Sequence, residues 1–232
     1  MPTLVRPGCE ISCERTGRRV ERHHHVAGYA AVVLRGGYLE AGDSGRFRAA
    51  AGDVLLHDAF EAHQDHFAPA GADILNLFLP AAPTIAFGRI DDPDRVILEA
   101  ERDPVRAAAI LTEALLPSGA ALEDWPDLLA RDLRNERVPS LAAWADAHAL
   151  APSSVSRGFR LAYGVSPQRY RADHRAARAM RSDGGTLAAI AAEAGFADQP
   201  HMNRTVKRAF GQSPSALRAD VNCVQAGRAG GR

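Results

Sequence analysis

The sequence predicts a multidomain α+β chain in two unlike parts, a small N-terminal β-barrel followed by an all-α domain made of two helix-turn-helix units. Three observations lead there. Ser140 to Pro167 (SLAAWADAHALAPSSVSRGFRLAYGVSP) and Thr186 to Pro214 (TLAAIAAEAGFADQPHMNRTVKRAFGQSP) are one pattern written twice, at an offset of 46 residues that becomes 47 after the internal turn. A repeat of this length is one supersecondary unit used twice. Ahead of it, residues 20–80 run in short apolar stretches of strand length between Gly, Asp, Ala and Pro turns. The charge is divided as well: residues 1–120 hold 12 basic and 17 acidic side chains and residues 140–232 hold 13 and 6, although the 232-residue chain is neutral. A basic half beside an acidic half is expected when only one of them approaches a polyanion.

The strands come first. Tyr29 to Leu34 is an apolar run that Arg35-Gly36-Gly37 should end, followed by Tyr38–Glu40, Arg46–Arg48, Asp53–Leu56 and Ile74–Leu79. Such spacing predicts a small barrel or sandwich. Helices follow at 94–101 and 104–116, the second with Asp103 as cap and Pro104 at its first position, until Pro117-Ser118-Gly119 breaks the run. Ala109, Leu111, Leu115 and Leu116 give this connector an apolar surface, suited to a second copy of the chain or to the barrel itself. Each repeat opens on a capping Ser140 or Thr186, breaks at small residues, and starts a second helix that ends in aromatic-Gly-x-Ser-Pro. Between the copies, Ser166 caps a helix that begins at Pro167 and continues to about Arg181, where Asp183-Gly184-Gly185 stops it. Some fifteen residues make a strut of about 22 Å. The expected divisions are 1–88 for the barrel, 89–120 for the connector, 121–221 for the helical domain and 222–232 for a flexible tail.

Chemistry concentrates on the second helix of each copy. In the first, Val155, Phe159 and Ala162 form the packing stripe, while Ser153, Ser156, Arg157 and Arg160 share another face. In the second, Met202, Val206 and Ala209 pack, leaving Asn203, Arg204 and Lys207, with His201 nearby, to project outward. Arg157 and Arg204 occupy the same repeat position. Arginine pairs bidentately with guanine and asparagine with adenine in a major groove wide enough for a helix; the alternative is a pair of solvated helix faces. Arg171, Arg175 and Arg178 line the strut, for phosphate contact or for solubility.

At these residues the chain resembles the DNA-binding domain of AraC/XylS-type transcription regulators. The motifs are Ser156-Arg157-Gly158-Phe159-Arg160 with Tyr163-Gly164-Val165-Ser166-Pro167, Ala194-Gly195-Phe196-Ala197-Asp198-Gln199, and Asn203 through Pro214, within residues 125–220. The resemblance implies double-stranded DNA as partner and Gln199 as a further contact residue, with RNA polymerase and a second copy of the chain as other candidate partners. Family members usually carry aromatics where this chain has Met202 and Val206 and a polar residue at Pro200, which predicts looser packing of the second recognition helix.

The N-terminal part resembles the cupin barrel over residues 20–80, with His23-His24-His25, Gly36, Gly52-Asp53-Val54 and His63 as its two motifs. Regulators of the AraC type often carry such a barrel as a sensor. Six of the nine histidines lie here. His23, His25 and His63 match cupin metal ligands and could hold a divalent metal such as zinc, whereas Tyr29 stands where a Glu ligand is expected. The same histidines could instead line an effector pocket or pack the barrel. His57 and His66 are candidates to replace a ligand or to sit at the mouth, and His24, pointing the other way, is expected to be exposed. Cys9 and Cys13 share a strand face, as a thiol switch or as plain reduced thiols, and three cysteines make no disulfide framework.

No apolar segment reaches membrane-spanning length and the N-terminus lacks the core of a signal peptide, so a cytoplasmic location and no membrane partner are expected. The leading reading is a non-enzymatic, sequence-specific DNA-binding regulator whose barrel senses a small-molecule or metal signal. A cupin-type metalloenzyme and a constitutive DNA binder with a barrel used only for dimerisation are the alternatives.

Overall fold

The computed structural model describes residues 5–6, 8–14, 17–118, 121–138, 140–182 and 184–219; the expected tail at 222–232, with Cys223, and Gly119 and Asp183 of two expected breaks lie outside the described residues. Among the described residues nine strands form one antiparallel sheet: β1 (Val5–Arg6), β2 (Cys9–Glu14), β3 (Arg19–His24), β4 (Tyr29–Gly42), β5 (Arg46–Ala50), β6 (Asp53–His57), β7 (Ala62–Phe78), β8 (Phe87–Arg89) and β9 (Leu116–Pro117). β4 and β7 are long enough to serve both walls of a barrel. The first half of β4 pairs with β6 and the second half of β7; the second half of β4 pairs with β5 and the first half of β7.

Arg35-Gly36-Gly37 therefore bends a strand rather than ending one. The register shifts on either side of Gly36, whose φ is 73°. A Cβ there would overlap the Gly71 carbonyl, so only glycine lets the two long strands approach this closely at the bend. The run Tyr29–Leu34 is apolar without alternation because both of its faces are buried. Tyr29, Ala31 and Val33 join Phe47, Leu55, Phe67 and Phe87 inside the barrel, while Ala30 and Val32 join Leu56, Leu75 and Leu77 beneath two helices.

Those helices are α1 (Pro93–Ala100) and α2 (Pro104–Ala114). Asp103 caps α2 by accepting from the Val105 and Arg106 amides. Their buried stripe is Val96, Ala100, Ala107, Ala108 and Leu111, so the connector's apolar face is covered by its own barrel. Ala109 and Leu116, expected in that surface, are exposed instead. The thiol switch is corrected too. Cys9 and Cys13 lie four residues apart on the extended β2, about 13 Å at strand rise, whereas a disulfide needs Cα atoms within about 7 Å.

The helical part comprises α3 (Trp125–Arg134), α4 (Leu141–Ala147), α5 (Pro152–Tyr163), α6 (Pro167–Arg181), α7 (Leu187–Glu193) and α8 (Gln199–Phe210). The first copy, α4 and α5, packs Trp144, Val155, Phe159 and Tyr163 against Leu129 and Leu133 of α3 and Tyr170 of α6. The second, α7 and α8, packs Ile190, Phe196, Met202 and Val206 against Ala176, Ala177 and Met180. Met202 and Val206 are fully buried, contrary to the looser packing expected of them.

The barrel is docked on both copies. Gln64 Nε2 donates to Ala162 O at the end of α5 (2.9 Å), and Arg46 reaches Asp127 of α3 (2.7 and 2.9 Å), which also accepts from the Tyr163 hydroxyl (2.8 Å). Arg22, paired with Asp43, lies over the Tyr170 ring. Phe60, held at a left-handed φ of 64°, inserts its ring into the second copy's core beside Phe210. His24 meets the same Phe210 edge-on at 4.7 Å, so it is an interface residue and not an exposed one.

Candidate nucleic-acid interface and barrel pocket

Helical spacing separates α5 into a core face and a reading face. Val155, Phe159 and Tyr163 are buried, whereas Ser153, Ser156, Arg157 and Arg160 are exposed. Their neighbour Leu161 is 74% exposed, an apolar group on a polar face that the sequence reading did not single out. Ala162, expected in the packing stripe, is only half-buried and lends its carbonyl to Gln64. Gly164, in the left-handed region at φ 76°, stops the helix.

α8 repeats the plan. Met202, Thr205 and Val206 are buried and His201, Arg204 and Lys207 exposed, while Gln199 and Asn203 are half-buried. Asn203 departs from the outward projection expected of it, since its Oδ1 is buried with no donor in reach. Asp198 caps α8 on the His201 amide (2.6 Å), and the His201 ring lies edge-on to Phe196. Arg157 and Arg204 each stand seven residues before the glycine that ends their helix, so the repeat places them alike. Among the described residues neither they nor Arg160 and Lys207 form an ion pair, which leaves four cations facing outward.

The strut arginines are otherwise engaged. Arg171 donates to Val138 O (3.0 Å), Arg178 to Ala194 O (3.0 Å) and to Glu136 (2.8 Å), and Arg175 lies 3.5 Å from the same carboxylate. They hold α6 against the start of the first copy and the turn of the second, a use that their sequence spacing does not reveal.

The barrel pocket grows from strand pairing. β3 pairs with β7 so that His23 stands opposite His63, and His25 follows two residues on, on the same face. His25 Nε2 lies 2.9 Å from His23 Nε2 and 3.1 Å from His63 Nε2, and the Tyr29 hydroxyl lies 2.9 Å from His63 Nε2. The outer ring nitrogens fix the tautomers. His23 Nδ1 faces Glu21 O (2.9 Å) and His63 Nδ1 faces Asp65 Oδ1 (3.0 Å), two acceptors that require N–H at both. Neutral rings then turn the Nε2 lone pairs of His23 and His63 inward, and backing of ligand histidines by carbonyl or carboxylate is the usual support of a metal site. Burial, with the neighbouring imidazoles, holds His25 and His63 down at about 3, so both are neutral at pH 7.

Behind His63 lies a second cluster absent from the sequence reading. Glu40 on β4 is 3% exposed; its Oε2 is 3.4 Å from His57 Nε2 and 3.5 Å from His63 Nδ1. Glu61 lies 3.8 Å from the other side of the His57 ring. Burial acts to lower His57, yet Glu40 and Glu61 carry it above its ordinary value, while burial lifts Asp65 to about 6. His57 is thus a neighbour of the triad, stacked on Tyr29, whereas His66 is exposed on the outer surface.

Residues 144–220 match the family model described as a helix-turn-helix domain. Among solved structures, the chain is similar to unsaturated fatty acid-bound ToxT from Vibrio cholerae, at 10% identity over 90% of this chain and 94% of that one, with a TM-score of 0.39. It is also similar to KdgF from Halomonas sp. (16% identity, 35% of this chain and 87% of that one, TM-score 0.29). A third likeness is to salicylate 1,2-dioxygenase from Pseudoaminobacter salicylatoxidans (13%, 41% of each chain, TM-score 0.31). No curated protein matches the chain. No helix of the described residues is long and apolar enough to cross a membrane. With the duplicated unit, its two outward reading faces and the matched family model in agreement, residues 144–220 of this chain form a helix-turn-helix domain, carried behind an antiparallel β-barrel.

Proposed function

We propose that the protein is a sequence-specific DNA-binding transcription regulator whose barrel takes its signal at the pocket of His23, His25 and His63. The observation that supports DNA reading is the pair of equivalent faces on α5 and α8, each with an unpaired arginine at the same repeat position. Arg157 and Arg204 would read guanine edges in successive major grooves, Arg160 and Lys207 would meet phosphate, and Leu161 offers the apolar contact that a thymine methyl takes. Ser153, Ser156, Gln199, His201 and Asn203 would supply shorter-range polar contacts.

The signal we propose is a divalent cation of the zinc class, held by three imidazoles. Glu40 and Glu61 around His57, with Asp65 behind His63, give the pocket carboxylates for a divalent charge to balance. β3 and β7 present these histidines inward and Arg22, His24 and Gln64 on the opposite face toward the helical domain, so a change in the pocket has a short route to both copies. Footprinting and binding selection test the DNA reading. Arg157→Ala and Arg204→Ala should each lose about 1–3 kcal/mol and relax preference at different positions, while Lys207→Ala should weaken all sequences and lower the salt slope by about one. Unchanged specificity in both arginine variants would overturn it.

A further inference from the structure

We infer that the barrel holds a second cation position on the far side of His63, built from Glu40 Oε2, His57 Nε2 and His63 Nδ1. Two of these atoms, Glu40 Oε2 and His57 Nε2, are buried without a hydrogen-bond partner, and their side chains are 4% and 5% exposed. Glu40 Oε2 faces the two imidazoles at ion-pair separations without hydrogen-bond geometry, and a buried carboxylate oxygen held so loosely is costly unless something answers it. The separations of 3.4 Å (Glu40 to His57) and 3.5 Å (Glu40 to His63) match the edges of a tetrahedral site. Metal bonds of about 2.0–2.1 Å at tetrahedral angles put neighbouring ligand atoms about 3.3–3.4 Å apart. One ligand atom from each of Glu40, His57 and His63 lies within 4.8 Å of the other two. The donors come from β4 and from β6 and β7, the two strands paired on either side of it, so the framework is rigid.

Two imidazoles and a carboxylate suit a zinc-like divalent ion, and this set contains the carboxylate that the outer triad lacks. His63 belongs to both sets. A neutral imidazole has one lone pair, on Nε2 for the outer triad or on Nδ1 for the inner set, so the ring serves one position at a time. Binding inside moves the His63 proton from Nδ1, where Asp65 Oδ1 accepts it without the ion, to Nε2, where the Tyr29 hydroxyl oxygen is placed to accept it. The pocket therefore takes one ion in either of two positions.

Zinc titration of the full-length chain, with metal content measured after dialysis and folding checked by circular dichroism, tests this. Wild type should bind one zinc. His23→Ala/His25→Ala should still bind one, and adding Glu40→Gln should lower that affinity at least a hundredfold; the glutamine pair His23→Gln/His25→Gln replaces the alanine pair if the latter does not fold. A folded outer-site variant that binds no zinc would remove the inner position and leave Glu40 and His57 as a plain ion pair. Two ions in wild type would overturn the sharing of His63. Failure of the outer triad reads out separately, as zinc lost from Glu40→Gln/His57→Ala while the outer-site variant keeps it.

Discussion

The two helix-turn-helix copies follow one local grammar but have different neighbours. Ser140 and Thr186 cap their first helices in the same way, on Ala143 and Ala189, and α5 and α8 both end on a glycine at φ 76°. Their cores and attachments diverge. The first copy is built on rings, with Trp144, Phe159, Tyr163 and Tyr170 in contact, and is tied to the barrel by polar bonds from Arg46 and Gln64. The second is built on Met202, Val206, Ile190 and small residues, and receives from the barrel chiefly the Phe60 ring, with Arg181 donating to Ala59 O nearby. The repeat thus determines where each helix starts and stops, whereas tertiary partners determine how firmly each copy is held.

The largest test of that difference is Arg46→Ala. Arg46 is 10% and Asp127 is 9% exposed in the side chain, and truncating the guanidinium leaves Asp127 buried without its cation. The expected loss is about 3 kcal/mol, in line with the removal of one partner of a buried pair. Denaturant unfolding of Arg46→Ala, Asp127→Ala and the double variant would show it as a coupling energy. Additive losses would mean that the first copy is not tied through this bond.

Next come the terminal glycines. Gly211→Ala places a Cβ in open space, so its cost is the left-handed backbone alone, about 1–2 kcal/mol. Gly164→Ala has the same backbone cost and also drives a Cβ into Gln64 Oε1, which Arg19 holds in place (3.1 Å). Gly164→Ala should therefore unfold at lower temperature than Gly211→Ala, and Gln64→Ala should bring the two together. Equal melting points would deny the barrel its hold on α5.

Much of this was legible beforehand because it is local. Ser140, Ser166 and Thr186 as caps, Pro167–Arg181 as a strut, and the alternation that sets His23 and His25 on one face are all written within a few residues of one another. What was missed depends on contacts far apart in the sequence. Glu40 meets His57 and His63 only because β4 pairs with both β6 and β7, and the Arg46 and Gln64 bonds span 81 and 98 residues. Arg171, Arg175 and Arg178 read as a free basic stripe because their partners at Val138, Glu136 and Ala194 lie outside their own helix. Gly36 read as a stop because a bend between crossing strands and a turn use the same residue.

The strut shared by both copies carries a pH test. Burial, the first cause, holds His174 down at about 4, despite the attraction of Asp43 and with Arg181, Arg134 and Arg178 acting in the same downward direction as burial. The unfolded chain takes up a proton near 6.5 and the folded chain does not, so His174 contributes stability above that value and loses it as pH falls from 6.5 toward 4. At pH 5 the loss amounts to about 2 kcal/mol. His25 and His63 push the same way and Asp65, raised to about 6, pushes the other, so the readout is a difference. His174→Asn should flatten the fall of the melting point between pH 7 and 5 relative to wild type, and parallel profiles would exclude this histidine.

The smallest expected effect lies where the two copies differ at a single capping residue. α8 starts at Asp198, whose carboxylate accepts from the His201 amide, while α5 starts at Ala151, whose methyl can accept nothing. The backbone at Ala151 is already extended, φ −73° and ψ 134°, the conformation of a capping residue, and Pro152 occupies the first helical position as Gln199-Pro200 open α8. A hydroxyl placed there would reach a free amide of the first turn without moving the chain. Ala151→Ser should thus stabilise the first copy by about 0.5–1 kcal/mol, and Asp198→Ala should destabilise the second by about 1 kcal/mol. Serine is the better choice than aspartate, because a carboxylate at this end of α5 would face phosphate if the helix enters a major groove. Hydrogen exchange of the α5 and α8 amides reads the two copies separately: protection should rise in α5 alone for the first variant and fall in α8 alone for the second. A change spread evenly over both helices would mean that the copies unfold as one unit, and that the barrel's unequal hold on them has no consequence for their stability.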